Sequence, residues 1–473
     1  MNATDLQSIA PELTLALAGC LLLLLEAFTP KIRESFTALS VAAGLFAGWQ
    51  VLGLADGASF GGLIVANRWT AAGSLVTLVS MVLCFLASHA FLKREKIFGG
   101  EYHAMILWAA SGALFLLRGQ ELLTIFVALE LLSVALYALA AYNRKDSHGS
   151  EAAVKYFLMG AFASAFVLYG IALLYGSTGS TRLDVIAERF GSGQASPVIG
   201  VLGVLLLIAG FGFKMSLVPF HAWAPDTYQG APSPFVAFLS VAPKAASVIV
   251  LIHVLRTVFP SALATDWSPI IATLAALSMI AGNLMALVQK DIKRMLAYSG
   301  IGHMGYVLIP LATLDAGSWQ PVLVYLVAYA LMNAGAFGLI SMLYARSREQ
   351  HLISELSGWG HRFPLLAACL TVCMLSLGGI PPTIGFLGKY LTFVHAVSHG
   401  QVWLALVGVG TSLLGVFYYL RVVYYLYMKD EVAEPTGLAI DFWGRTAAVA
   451  AALGILALGM FPARLLEWLL GQN

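Results

Sequence analysis

Long apolar runs, each about the length of one bilayer crossing and separated by short polar links, fill the chain from residue 9 to residue 461. A helix needs about 20 such residues to cross a hydrocarbon core of about 30 Å. Apolar windows place spans near 9–29, 36–56, 70–92, 104–118, 120–142, 152–176, 198–218, 232–256, 269–288, 294–314, 319–343, 363–380, 402–427 and 442–461. The expected fold is an all-α polytopic membrane protein with about fourteen transmembrane helices. Two runs continue past prolines: span 7 through His221 to Tyr228 after Pro219, and span 12 through Ile384 to His395 after Pro381-Pro382. Both read as broken helices. Spans 4–8 and 9–13 form two five-helix blocks, each with its broken member fourth, and an odd number of helices reverses the second block. Helix count and break position therefore predict two inverted repeats whose broken helices meet near the midplane at an ion site. No polar link is long enough for a soluble domain, so 1–473 reads as one membrane domain. It divides into three N-terminal helices (1–100), a first five-helix unit (104–256), a second (269–428) and a C-terminal helix (442–473). Asp5 and Glu12 precede the first run and no basic segment does, so that run is expected to stay as a helix.

Composition supports the membrane reading. Of 473 residues 60% are apolar and 11% charged, against roughly 25% charged in soluble domains, and the mean hydropathy is +0.85. A net charge of +2 gives no reason to expect a nucleic-acid partner. The lipid bilayer is the first partner. Cys20, Cys84, Cys369 and Cys373 lie in apolar stretches without ligand spacing, so neither a disulfide framework nor a metal site is expected. Cationic residues gather in links after odd-numbered spans, where fifteen fall, among them Lys93, Lys290, Lys293, Arg294, Arg346 and Arg348. Links after even-numbered spans, with the C-terminal end, hold six, Arg118 and Arg182 among them. Because Lys and Arg are retained on the cytoplasmic side, both termini are expected on the periplasmic face.

Four ionisable residues interrupt the apolar runs: Glu130, Lys214, Lys244 and Lys389. Each charge at a helix centre costs about 2.5–3.5 kcal/mol, so four demand compensation. A lysine beside an interface can snorkel or form a static pair, but four on four helices, two of them next to breaks, point to a proton or ion path. Re-pairing a carboxylate such as Glu130 could switch Lys214 between holding and releasing a proton. Unwound backbone at the breaks is tolerated only where it lines a cavity. Secondary candidates are Lys155, spaced i, i+4 from Glu151; His221 and His303, whose imidazoles can relay protons; Asp226, expected to brace the span 7 extension; and Glu101 and Tyr298 near the cytoplasmic ends. His395 and His399 share the i, i+4 spacing at an outer helix end, without identifiable partners for a haem or metal.

The run Phe213-Lys214-Met215-Ser216-Leu217-Val218-Pro219-Phe220-His221-Ala222-Trp223-Ala224-Pro225-Asp226 resembles the antiporter-like subunits of respiratory complex I and of multisubunit cation/proton antiporters. Glu130-Leu131-Leu132-Ser133, Lys293-Arg294-Met295-Leu296-Ala297-Tyr298-Ser299 and Ser376-Leu377-Gly378-Gly379-Ile380-Pro381-Pro382 with Gly385-Phe386-Leu387-Gly388-Lys389 extend the resemblance. It covers essentially the whole chain, and the length is most similar to the subunit N branch of bacterial NADH-quinone oxidoreductases. The resemblance implies proton pumping driven by quinone reduction elsewhere in the complex. Glu130 and Lys214 would be paired input residues, Lys244 the central relay and Lys389 the exit; Lys155, His221, Glu101 and Tyr298 also match candidate positions. It further implies a bacterial inner membrane, neighbouring antiporter-like and small membrane subunits, and a peripheral redox arm reached through them. NAD, FMN, iron-sulfur clusters and quinone would belong to those partners, since no dinucleotide fingerprint, iron-sulfur spacing or haem pair is found in the chain. The main alternative is a subunit of a cation/proton antiporter without redox partners; a structural spacer with relic charges is a third.

Overall fold

The computed structural model describes residues 3–258, 264–313, 315–343, 351–430, 438 and 440–470. Arg346 and Arg348, counted above for orientation, lie outside them. The protein is all-helical, with a single two-stranded hairpin among the described residues.

The N-terminal part contains α1 (Ala3–Ser8), α2 (Ala10–Phe28), α3 (Phe36–Gly53) and α4 (Arg68–Glu95). The hairpin, β1 (Gly57–Ser59) antiparallel to β2 (Ile64–Ala66), joins α3 to α4 with Gly57 opposite Ala66. Next come α5 (Gly100–Arg118), α6 (Leu122–Ala140), α7 (Ser147–Thr178), the short link helix α8 (Leu183–Gly191), α9 (Pro197–Met215), α10 (Trp223–Gly230), α11 (Ser233–Leu239) and α12 (Ala242–Val258). The remainder is α13 (Ala264–Leu287), α14 (Ile292–Leu311), α15 (Trp319–Leu343), α16 (Trp359–Arg362), α17 (Pro364–Gly378), α18 (Ile384–Ser398), α19 (Val402–Met428), α20 (Phe442–Met460) and α21 (Ala463–Leu470).

Among the described residues, eleven stretches are long and apolar enough to cross a membrane. The other three expected spans are present as helices that do not meet that standard: α5, α14 and the 15-residue α17. The reason is visible in α14, where every residue except Arg294 is buried. A helix sheathed by protein needs no apolar surface of its own and can carry Lys293, Tyr298, His303 and Tyr306.

Among the described residues three breaks, not two, interrupt the spans. After α9, Ser216 turns left-handed at φ 61°, and its N–H and that of Leu217 return to Phe213 O and Gly212 O at 3.0 and 2.8 Å. After α17, Gly379 at φ 80° does the same, with Ile380 N–H reaching Leu375 O at 3.0 Å. These are αL closures of a helix C-terminus. The third break, at Ser240–Val241, splits the expected span 8 into α11 and α12 one turn ahead of Lys244. Pro243 is its trace in the sequence, in the first turn of α12 where proline is accepted.

Two cations assigned to loops are in fact interior. Arg118 ends α5 against Glu12 at 2.7 Å, with 3% and 0% of the two side chains exposed. Lys293 is buried and donates to Gln229 O and Ala231 O at 2.8 and 2.7 Å, closing the C-terminal end of α10. One residue leaves each side of the charge tally, so its sign is unchanged.

Candidate functional site

Lys214 lies in the last turn of α9, with its side chain turned into the bundle. Its Nζ donates to Tyr137 Oη at 3.0 Å and lies 5.0, 5.8 and 5.9 Å from the ring centres of Tyr137, Phe213 and Tyr156. Such ring faces attract a cation even after desolvation. Glu130, one helix away on α6, is only partly buried and accepts from Ser164 Oγ at 2.5 Å. The carboxylate and the ammonium are not in direct contact: Tyr137 and Ser164 stand between them. Between the two groups that the resemblance pairs, the fold places two exchangeable hydroxyls. Gly160 makes this possible, because a Cβ there would lie 2.1 Å from Tyr137 Oη.

From Lys214 a row of rings leads inward. Tyr156 stacks on Trp223 at 4.6 Å between centres, and Trp223 meets Tyr228 at 6.1 Å. Trp223 also ties the break together, its indole N–H donating to Phe213 O at 2.8 Å.

Lys244, fully buried in the first turn of α12, has no hydrogen-bond partner among the described residues; Tyr228 and Tyr329 present their faces at 5.4 and 6.0 Å. Gly300 clears the space around its amine, since a Cβ there would come within 3.0 Å of Nζ and 2.8 Å of Tyr329 Oη. Tyr228 Oη and Asn333 Oδ1 nearby are likewise buried without partners. Groups in this state retain hydrogen-bonding capacity for a transient partner, which a relay requires.

His303 occupies the centre of α14. Tyr325 Oη stands 2.7 Å from Nδ1 and Tyr419 Oη 2.9 Å from Nε2, with Tyr329 at 5.5 Å between ring centres. Tyr419 also pairs with Ser299. Tyr329 borders both Lys244 and His303, and Tyr306 borders both His303 and Lys389, so a residue ranked second from sequence lies between the two lysines.

Lys389, on α18 after the second break, donates to Leu377 O at 2.9 Å, Gly378 O at 3.0 Å and Ser412 Oγ at 2.9 Å. The first two are carbonyls left free at the end of α17, where the helix dipole favours a cation. Tyr306 offers its ring at 5.3 Å.

The other candidates are placed apart from this strip. Lys155, about half exposed, pairs with Glu151 at 2.8 Å and Asp226 at 3.3 Å, and Asp226 continues to Arg294 at 2.6 Å. Arg294 lies 5.8 Å from the Tyr298 ring, so Lys155, Asp226 and Tyr298 form a surface brace joining α7, α10 and α14. Glu101 is exposed in a cleft with Glu26, Arg33, Tyr142 and Arg144. His221, half-buried beside the first break, has an unpartnered Nδ1. Sequence reasoning missed Tyr137, Ser164, Tyr228, Tyr329, Tyr325, Tyr419 and Ser412. Tyrosines inside apolar runs were the available signal, because a buried phenol needs somewhere to direct its hydroxyl.

Over residues 119–415 the chain matches the family described as NADH:quinone oxidoreductase/Mrp antiporter, TM. It is 40% identical to NADH-quinone oxidoreductase subunit N of Trichlorobacter lovleyi, over 98% of this chain and 96% of that one. It is similar to a chain in respiratory complex I from Thermus thermophilus with bound aureothin, with a TM-score of 0.80 and 33% identity over 97% of this chain and 98% of that one. A chain of the Mrp complex from Dietzia sp. superposes with a TM-score of 0.84 at 19% identity, covering 99% of this chain and 96% of the other, a likeness of fold alone.

Proposed function

Since the chain belongs to the NADH:quinone oxidoreductase/Mrp antiporter membrane family, and within it to the subunit N relatives, we propose that its buried strip is the proton path of a quinone-reducing respiratory complex. The chain is a proton-translocating membrane subunit of an NADH-quinone oxidoreductase. The observation that carries the path is the run Glu130, Ser164, Tyr137, Lys214, then Lys244, then His303, then Lys389. Ring faces or hydroxyls fill the intervals between successive charges. Each lysine can hold a proton, and each neighbouring hydroxyl can accept one and donate another.

In this reading Glu130 and Lys214 take up the proton, Lys244 and His303 pass it across the middle, and Lys389 releases it toward the periplasm or a neighbouring subunit. Lys155, Asp226 and Tyr298 keep the first break docked on α14. The two five-helix units act as inverted repeats around the breaks, with both termini on the periplasmic face of a bacterial inner membrane. Electron transfer from NADH through flavin and iron-sulfur centres to quinone takes place in partner subunits, which supply the driving event. Moving one charge against 100 mV requires about 2.3 kcal/mol. The antiporter alternative has the fold in its favour and no observation of its own.

The test is NADH oxidation and proton pumping recorded together in membrane vesicles for Lys214→Ala, Lys244→Ala, Lys389→Ala and Glu130→Ala, with assembly checked alongside. Assembled variants are expected to lose pumping or coupled turnover. Normal pumping in all four would overturn the path.

A further inference from the structure

The two histidines left unexplained by the sequence acquire a partner in the fold. His395 and His399 lie at the end of α18 with their rings stacked at 4.1 Å, and Asp315 approaches from the turn between α14 and α15. A ring nitrogen of each histidine and a carboxylate oxygen of Asp315 all lie within 4.8 Å of one another. The cluster belongs neither to the lysine strip nor to the surface brace. It is at the opposite end of α14 from Lys290, about 30 Å away along a 20-residue helix.

The hydrogen bonds around the cluster determine what it can bind. His399 Nδ1 faces His395 O at 2.8 Å, and a carbonyl only accepts, so Nδ1 carries the proton. In the neutral ring Nε2 is then a bare lone pair, and it faces at 3.3 Å the Asp315 Oδ2 that also accepts from Gly317 N–H at 2.7 Å. Two acceptors turned toward each other need a cation between them. Either the ring takes a second proton or a metal ion fills the gap. Thr313 fixes the other ring: its hydroxyl donates to Pro310 O at 2.7 Å and so accepts from His395 Nε2 at 2.9 Å. This is the outer-shell arrangement that sets the tautomer of a metal-binding histidine.

The geometry points to a site for a divalent transition-metal ion of the zinc class, held by Asp315, His395 and His399 with a fourth position open to water. Two imidazoles and a carboxylate are a zinc donor set. Ligand atoms on a zinc tetrahedron with bonds of about 2.0–2.2 Å stand about 3.3–3.6 Å apart. The His399–Asp315 pair already has that spacing. His399 is about one-third exposed and Asp315 about two-fifths, so the ion reaches the site from the aqueous face without crossing the bundle. Bound there, it ties the α14–α15 turn to the helix that carries Lys389.

The experiment uses the assembled complex, washed with chelator and titrated with zinc chloride against a fluorescent zinc indicator, and with cobalt chloride followed by visible absorption. The wild type is expected to take up one metal ion that His399→Ala and Asp315→Asn bind about 100-fold more weakly, with a cobalt band that both variants lose. Thr313→Val, which alters only the tautomer-setting bond, is expected to weaken binding about 10-fold. His399 is partly exposed, so its truncation leaves the packing intact and carries the test even if His395→Ala fails to assemble. Wild type and His399→Ala titrating alike would overturn the site and leave an ordinary histidine–aspartate contact.

Discussion

Lys214 and Lys389 both lie beside a proline break, yet their surroundings differ in kind. Lys214 precedes its break and meets a phenol hydroxyl, with the carboxylate of Glu130 one further hydroxyl away. Lys389 follows its break and collects two carbonyls from the end of the preceding half-helix and a serine, with no acid among its partners. The first ammonium is therefore answered by a group that can itself gain or lose charge. The second is answered by permanent dipoles whose strength does not change. Lys244, between them, has neither: it is in the first turn of α12, where the helix dipole opposes a cation, and only ring faces support it. A break thus supplies unsatisfied backbone, but where the lysine falls relative to it decides whether that backbone is of use. In the proposed path Lys214 is switched from its own partner, while Lys389 answers only to what arrives from elsewhere.

The largest effect that tests this contrast is steric. Gly385→Ala would place a Cβ 1.9 Å from Ser376 O, backbone against backbone, so the second break must be rebuilt. We expect a cost of about 3 kcal/mol or more and loss of the subunit from native gels of the membrane. At the first break Gly212→Ala meets side chains alone, the Phe220 ring at 3.0 Å and Leu217 Cδ1 at 3.8 Å, and should still assemble. Next is Glu130→Gln, which keeps an acceptor for Ser164 but removes the switchable charge; coupled pumping should fall about 100-fold, measured as vesicle acidification per NADH oxidised. Tyr137→Phe leaves Lys214 without its one hydrogen bond, a penalty of about 1–3 kcal/mol, and should slow pumping about tenfold. Smallest is Ser412→Ala, because Lys389 keeps two carbonyls: less than about a twofold change in the same assay. If Ser412→Ala proved as damaging as Tyr137→Phe, the distinction between the two lysines would fail.

Apolar runs and four interrupting charges were legible in the sequence because bilayer length and charge burial act on single segments. What was not legible depends on neighbours. Span 8 was expected to be continuous because Ser240-Val241 carries no breaking residue, and Pro243 beyond it suits a new helix as well as it marks a break. Arg118 and Lys293 looked like loop cations because their partners, Glu12 and the carbonyls of Gln229 and Ala231, are far away in sequence. His303 was ranked low because nothing in its local segment shows that Tyr325 and Tyr419 close on it from two other helices. The resemblance named Glu130 and Lys214 as a pair, but only the fold places Tyr137 over Gly160 to join them.

The sheathing of α14 bears on how the protein is made. A segment that carries Tyr298, His303 and Tyr306 along its length, behind Lys293 and Arg294 in its first turn, is a poor candidate for release into lipid when it leaves the ribosome, since polar groups without partners are costly in hydrocarbon. The helix packed most extensively against it, α13, emerges just before it, and α15, α18 and α19 complete the enclosure only later. Biogenesis of the second unit is then expected to be concerted, with α14 waiting beside α13 at the translocation machinery until its cover has been synthesised.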